Sequence, residues 1–529
     1  MTHKVLISDS MSPKAKEVFQ EAEISVDVKT GLAPDELKSI IGEYDGLVVR
    51  SATKVTADII GAAGKIKVIG RAGTGVDNID VPASTRKGIV VMNTPGGNSL
   101  AAAEHAIALM TSLARHIPQA NRSMKDGKWE KSKFEGVELS RKTLGVVGLG
   151  NIGKIVAQRA RGLDMNVIAC DPFVPKEKAA EMGIEMVELN DLYARSDFIT
   201  LHVPKTDETL GMINKKTIAL MKDGVRIIND SRGTAIVDED LAEALKSGKV
   251  AGAALDVYSK EPPQNNPLVA LPNVICTPHL GASTGESQVN VAVAVAQQMT
   301  EFLIRGTILN AVNVPSVSGE VLKVLGPYLT LAERLGSFHG QLVTDPIKSI
   351  EVGYSGQVLD YDTTPLTLSI LKGLFSPFHE GVNYVNARHI AEEHDIKVKE
   401  ARSRDTKDFV SLIEVTTATN ESTRMVAGVL FGKNEPRIVR IDDVYLDANP
   451  SGWVLLIHNY DRPGTIGAVG TLLGKHNVNI HRLQLGLPPK GGNIAISFVN
   501  IDSSASEETL ERLRGLENVV SVKQVKFNV

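Results

Sequence analysis

Short β-branched runs alternate with helical patterns from the first residues. Lys4 to Ser8, Gly46 to Val49, Lys67 to Gly70 and Ile89 to Met92 read as strands, in the rhythm of parallel βαβ units. From Asn98 to Arg115, Ala, Glu, Leu and Met recur at helical spacing after the turn NTPGG, which predicts a buried helix. A second α/β series opens at Lys142 with TLGVV and runs through VIACD, DFITLHVP, VRIINDS, AGAALDV and NVICTPH. Six such strands predict one doubly wound sheet. Glu286 to Arg305 then reads as a long helix with few breakers, and the linker ILNAVNVPSVSGEV after it marks a domain boundary.

The pattern changes between about Leu322 and Pro450, where helical stretches (LTLAERLGSFHG, LSILKGLF, NARHIAEEH) mix with alternating strands (SIEVGYSG, FVSLIEVTT, RMVAGVLFG). This predicts an α+β domain. After the turn at Ser451 and Gly452 the order is strand Val454 to His458, helix Gly464 to Lys475, strand Ile480 to Leu487, strand Asn493 to Ile501, helix Glu507 to Arg514 and strand Val519 to Phe527. That βαββαβ order is the ferredoxin-like split motif.

The length of 529 residues suits roughly three or four domains. With 58 basic against 62 acidic residues the net charge is -4, so no global field favours nucleic acid or an anionic membrane surface, and an anionic ligand must be held by local cations. Cys170 and Cys276 stand apart and outside any C-x-x-C pattern, which argues against a zinc site or a disulfide framework and for a reducing compartment. The start, MTHKVLISDSMSP, has too short an apolar run for a signal peptide or membrane helix, so a cytoplasmic protein is expected.

Gly148, Gly150 and Gly153 form G-x-G-x-x-G between a strand and a helix. The first glycine permits the tight turn, the second lets a pyrophosphate approach the backbone, and the third lets helix and strand pack closely. The next strand ends in Asp171, about twenty residues on, where a carboxylate binds the adenosine ribose 2′-hydroxyl and repels a 2′-phosphate; NAD is favoured over NADP. Arg232, Glu261 and His279 follow later strands of the same sheet. An imidazole can take a hydroxyl proton, a carboxylate beside it orients it and raises its pKa, and a guanidinium can hold a substrate carboxylate.

GVVGLGNIG, DSRGTAIVD, AALDVYSKEPP and TPHLGAST resemble the D-isomer-specific 2-hydroxyacid dehydrogenases. VVRSATKVTADII, GRAGTGVDNID, MNTPGGNSLAAAEH and MKDGKWE narrow the resemblance to the branch that acts on D-3-phosphoglycerate. The resemblance implies a substrate-binding domain of Rossmann-like fold (1–97 plus 286–312) with an NAD-binding Rossmann domain (98–285) inserted in it. An α+β intervening domain (313–450) and a C-terminal ferredoxin-like domain (451–529) follow. It implies NAD-dependent oxidation of D-3-phosphoglycerate to 3-phosphohydroxypyruvate, the entry step of serine synthesis. By position, His279 is then the acid/base, Glu261 its partner and Arg232 the carboxylate clamp. Arg232 and His279 also border the cofactor, and Thr74, Asn151, Ile152, Asp230, Ser231, Asp256, Gly281 and Ala282 join them as cofactor contacts. Arg50, Ser51, Arg71 and Gly73 face the substrate. Two residues depart from the family pattern. Many relatives carry Arg where Asn151 stands and small neutral residues where Asp230 stands; Asp230 adds a negative charge that suits oxidised better than reduced nicotinamide. Trp129, beside Lys131, suits an apolar anchor in an adjoining subunit's cleft, hence a homo-oligomer, dimer or tetramer.

VLLIHNYDRPGTIGAVGTLLGKHNVNI resembles the ACT domain, an amino-acid-sensing module. Asp461 and Asn479 stand at the positions that bind an amino acid at a dimer interface, L-serine being the expected effector, though such a module also serves assembly alone. Arg437 and Arg440 read as a solvated basic edge or an anion site. Two rivals stay open: a hydroxypyruvate or glyoxylate reductase of the same family, and a non-catalytic NAD-responsive corepressor or scaffold. No metal, nucleic-acid or membrane partner is expected.

Overall fold

A computed structural model describes residues 3–315, 319–405, 409–488 and 492–527. Strands β1 (Lys4–Ile7), β2 (Ser25–Val28), β3 (Gly46–Val49), β4 (Val68–Arg71) and β5 (Val90–Met92) form a parallel sheet in the order β2-β1-β3-β4-β5. The hydrophobic pattern passed over β2 because it is an edge strand whose sequence, SVDV, leaves no residue fully buried. Helix Gly285–Arg305 returns to this sheet from far along the chain and lays Val291, Val295 and Met299 on it. A Cβ at Gly46 would stand 2.9 Å from the Met299 terminal methyl, and one at Gly70 2.3 Å from its sulfur. Glycines on two neighbouring strands thus make the groove that Met299 fills.

Strands β6 (Thr143–Val147), β7 (Asn166–Cys170), β8 (Glu185–Met186), β9 (Phe198–Leu201), β10 (Val225–Asn229), β11 (Val250–Leu255) and β12 (Val274–Cys276) form a second parallel sheet. Its order, β12-β11-β10-β9-β6-β7-β8, reverses between β6 and β9. A ligand crevice opens at such a reversal, outside the carboxyl ends of the strands. The sheet has seven strands, not the expected six, because the two-residue edge strand β8 is too short to leave a periodic signal. Helix Ser99–Ala114 buries an alanine-rich face against this sheet and helix Asn151–Gly162.

Beyond the linker, β13 (Ser349–Gly356), β14 (Lys397–Ser403), β15 (Ser411–Ala418), β16 (Thr423–Phe431), β17 (Glu435–Ile441) and β18 (Val444–Ala448) form a mixed sheet ordered β14-β13-β15-β16-β17-β18. The sequence did not reveal β14, β17 or β18. The first, KVKEARS, is an almost wholly exposed edge, and the other two make a tight charged hairpin. Helices Gly319–Leu342 and Thr364–Phe375 pack closely, since a Cβ at Gly336 would meet the Ile370 carbonyl oxygen at 1.9 Å and one at Gly373 the Glu333 carbonyl oxygen at 2.1 Å.

The last unit has the expected βαββαβ order, with β19 (Gly452–Tyr460), β20 (Ile480–Gly486), β21 (Ile494–Ile501) and β22 (Val519–Phe527) arranged β20-β21-β19-β22. The turn at Ser451 breaks the chain pattern but not the core. Phe338 from the preceding unit stacks on Phe527 with centroids 6.0 Å apart and meets Phe498 at a tilt with centroids 6.2 Å apart, and one apolar cluster runs through both units. Among the described residues no helix is long and apolar enough to cross a membrane.

Met299 is fully buried. Met299→Ala should therefore destabilise the N-terminal unit by about 2–5 kcal/mol, read as a lower denaturation midpoint for the phase that reports that unit.

Candidate active site

The glycine turn is built for close approach. Gly148 has φ +91°, and a Cβ there would stand 2.3 Å from the His202 carbonyl oxygen; a Cβ at Gly153 would stand 2.0 Å from the Gly148 carbonyl oxygen. Nothing lies within 4 Å of a Cβ at Gly150, so open space stands in front of that backbone and the start of helix Asn151–Gly162. Asn151 is exposed there and Ile152 half-buried. Asp171 accepts hydrogen bonds from the Leu149 and Phe173 amides, each at 2.8 Å. Its carboxylate braces the turn from the end of β7.

At the ends of β11 and β12, Glu261 Oε2 lies 2.8 Å from His279 Nδ1, which leaves Nε2 as the outward nitrogen. The Glu261 hydrogen bond outweighs burial and raises the imidazole pKa above its ordinary 6.5. Burial works against ionisation of Glu261, but the same bond and charge hold its carboxyl below 4.5. His279 has φ +56°, a left-handed conformation uncommon for a residue with a Cβ. Asp256 holds it there: its carbonyl accepts from the His279 amide at 2.9 Å, and its carboxylate accepts from the Leu280 and Gly281 amides at 2.7 and 2.8 Å and from Thr277 Oγ1 at 2.6 Å.

Asp256, expected among the cofactor contacts, is fully buried, and its carboxylate is spent on this loop and on His105, whose Nε2 lies 3.2 Å away. Burial opposes its ionisation, yet those donors hold the carboxyl at about 2. A side chain so engaged fixes the loop that carries His279, Gly281 and Ala282. His105 and Thr277 were not singled out in the sequence. His105 sits on the inward face of an alanine-rich helix, and a histidine among helix-forming residues gives no local sign of a carboxylate waiting 151 residues later.

Across the cleft, Arg71 ends β4 half-buried, with Nε unpartnered. Burial first, and then the charges of Arg232 and Arg50, bring its pKa down to about 10. Asp77 Oδ2 lies 3.0 Å from Arg232 Nε and links the two α/β units. Arg50 sits in a loop pinned by Asp9, which accepts from the Arg50 amide at 2.5 Å and from Thr53 Oγ1 at 2.6 Å; Ser51 beside it is exposed. Gly73, with φ +149°, places its amide 2.8 Å from Thr94 Oγ1, and Thr74 Oγ1 donates to Asn98 Oδ1 at 2.7 Å. Ser231 is buried, with amide and hydroxyl both turned to Asn229 Oδ1. Asp230 is buried with both oxygens lacking a hydrogen-bond partner. Asp9 and Asp77 escaped the sequence reading because each acts through a partner from a distant element.

Known proteins match every unit of this chain. Residues 107–281 match the model of the D-isomer specific 2-hydroxyacid dehydrogenase NAD binding domain, 324–442 that of the D-3-phosphoglycerate dehydrogenase intervening domain, and 453–518 that of the ACT domain. D-3-phosphoglycerate dehydrogenase of Archaeoglobus fulgidus is 43% identical over 527 residues, covering 99% of this chain and 100% of that protein. The chain belongs to the D-3-phosphoglycerate dehydrogenase family. The Bacillus subtilis member is 39% identical over 525 residues, covering 99% of each chain. The solved NAD+-bound 3-phosphoglycerate dehydrogenase of Entamoeba histolytica superposes with a TM-score of 0.51 at 30% identity, covering 60% of this chain and 100% of that one. A glyoxylate reductase from Paecilomyes thermophila gives 0.55 at 30% identity over 59% of this chain and 98% of its own.

As in the family, the chain carries an NAD-binding domain, and the open approach at Gly150 together with the unpartnered Asp230 carboxyl leaves room and polar capacity for the dinucleotide. Away from the cleft the chemistry thins out. In the ACT unit, Asp461 and Asn479 are both exposed, and the Asn479 amide donates to Asp502 Oδ1 at 3.1 Å. Arg437 is ion-paired with Glu435 and Asp447 at 2.7 and 3.4 Å, and Arg440 lies over the Tyr445 ring with its Nε donating to the Asp442 carbonyl. Cys170 and Cys276 are unpaired. Among the described residues no group of three or more His, Cys, Asp and Glu is placed to hold a metal ion.

Because the Glu261 hydrogen bond is the largest cause lifting the His279 pKa while burial lowers it, Glu261→Gln should lower that pKa. An NMR titration of the His279 ring checks this, and an unmoved pKa would show that the contact carries no charge coupling.

Proposed function

We propose that this chain oxidises D-3-phosphoglycerate to 3-phosphohydroxypyruvate with NAD+, the entry step of serine synthesis. The observation that carries the reading is the His279–Glu261 pair beside Arg232, facing half-buried Arg71 across the cleft. Guanidinium groups that repel one another across a cleft favour an anionic guest, and this substrate brings a carboxylate at one end and a phosphate at the other. Arg232 holds the carboxylate and stabilises negative charge as it develops on the C2 oxygen. Arg71 and Arg50, with Ser51, receive the phosphate beside the turn at Gly73. Asp77 holds Arg232 ready and yields it to the substrate.

His279 Nε2 takes the C2 hydroxyl proton while the C2–H bond breaks and the carbonyl forms; Glu261 orients the ring and stabilises its protonated form. Bound NAD+ supplies the acceptor for the hydride that leaves C2. Gly148, Gly150, Asn151, Ile152 and Gly153 receive the pyrophosphate, Asp171 the adenosine ribose, and Thr74, Ser231, Gly281 and Ala282 border the nicotinamide end. Closure of the two α/β units over the cleft excludes water. The functional partition is 1–97 plus 286–312 for substrate, 98–285 for NAD, 313–450 intervening and 451–529 as ACT domain.

In the same reading L-serine binds the ACT unit at Asp461 and Asn479 and lowers turnover. Trp129, 80% exposed among lysines, anchors a neighbouring copy in a homo-oligomer. Full-length similarity to chains carrying the same C-terminal units favours this substrate over glyoxylate.

Absorbance of NADH with NAD+ and D-3-phosphoglycerate at alkaline pH tests the proposal. Wild-type turnover should fall about 10²–10⁴-fold in His279→Ala, and Arg71→Ala should raise KM for the phosphorylated substrate far more than it lowers kcat. L-Serine should lower the wild-type rate and leave Asp461→Ala unaffected. Tight NAD binding without turnover would overturn the enzyme reading in favour of an NAD-responsive scaffold.

A further inference from the structure

Asp230 stands at the carboxyl end of β10, two residues before Arg232, with a side chain 1% exposed and neither oxygen hydrogen-bonded. Four ionisable groups face it from the surrounding elements. His202, at the end of β9, has Nδ1 3.4 Å from Asp230 Oδ1 with no hydrogen bond between them, while its Nε2 lies 3.0 Å from Thr200 Oγ1. Burial pushes His202 down to about 3, so it stays neutral and brings no countercharge. Asp256, at the end of β11, repels a charge on Asp230, whereas His105 from the alanine-rich helix and His279 from the loop after β12 attract one. Burial and Asp256 prevail, and the carboxyl is pushed up to about 7.

A buried carboxyl without a partner is rare in folded proteins and calls for one. Its place says which. Hydride transfer requires the acceptor ring and the substrate carbon to lie about 3–3.5 Å apart, and that carbon must be within reach of both His279 and Arg232. The ring therefore lies at the ends of β10 to β12, within electrostatic reach of Asp230. Oxidised nicotinamide carries a formal positive charge and reduced nicotinamide carries none. We infer that Asp230 discriminates between the redox states of the cofactor, its carboxylate attracting the oxidised ring and not the reduced one, so that preference for NAD+ over NADH grows as Asp230 ionises.

This inference rests on the NAD-dependent reading above. Its sign follows from linkage. Below neutral pH Asp230 is a neutral acid and the two cofactors are treated alike; above it the carboxylate favours NAD+. By reciprocity, NAD+ binding expels a proton from Asp230 and NADH binding does not. If the ring lowers the carboxyl pKa by about one unit, relative affinity changes by up to about tenfold. His279 titrates nearby, and its imidazolium also repels the oxidised ring, so the test removes it first.

Dissociation constants for NAD+ and NADH are measured by calorimetry from pH 5.5 to 8.5 in His279→Gln and in His279→Gln combined with Asp230→Asn. The ratio of the NADH constant to the NAD+ constant should rise several-fold in the first protein and stay flat in the second. A second measurement needs no change at Asp230. Near pH 7, in buffers of different ionisation enthalpy, His279→Gln should release a fraction of a proton on binding NAD+ and none on binding NADH. A rise that survives Asp230→Asn, a flat ratio in His279→Gln, or equal proton release for both cofactors overturns the inference while leaving NAD binding in place. Failure of both the wild type and His279→Gln to bind either dinucleotide overturns the NAD reading and this inference together.

Discussion

The candidate site hangs on one buried carboxylate. Asp256 has no exposure to water, and its two oxygens collect a hydroxyl, two loop amides and a histidine from a helix far back in the chain. A buried charge is tolerated only when it is met by donors of this kind. The same requirement drags the loop after β12 into the left-handed turn that points His279 at Glu261. The acid–base pair is thus positioned by the need to solvate a neighbour that itself takes no proton.

Around this hub the charges are sorted by burial. Asp256 is held ionised because it is surrounded by donors; Asp230, its side chain also buried but at the end of the neighbouring strand with neither oxygen hydrogen-bonded, is pushed up to about 7. His279 is raised by a carboxylate it touches, and His202 is lowered by burial with none to touch. The pKa values of two aspartates and two histidines within one crevice are therefore driven in opposite directions by environment alone. Across the cleft Asp77 pairs with Arg232, and the charges of Asp77 and Asp9 offset part of the repulsion that Arg232 and Arg50 exert on Arg71, leaving the remainder for an anionic ligand.

The C-terminal half follows a different constraint, close packing. Glycines at 336 and 373 let two helices touch backbone to backbone, and the stacked rings of Phe338, Phe498 and Phe527 join the intervening and ACT units in one core. A ligand held by the ACT unit would act on a body continuous with the intervening domain.

Local patterns were enough for the strand–helix alternation, the glycine turn, Asp171 and the three residues that end strands beside the crevice. Each rests on periodicity or on spacing within one βα unit, which the chain carries in order. The same holds for the βαββαβ order at the end of the chain, whose elements all lie within about a residue or two of their expected limits, the usual uncertainty of element ends. Edge strands β2, β8 and β14 were not legible, since strands that are short or exposed lack the alternation that burial imposes. Nor was the division of labour between Asp230 and Asp256. In sequence both are aspartates just past a strand; which one finds donors depends on His105, Thr277 and the loop at 279–281 arriving from elsewhere, and only the folded chain brings them together.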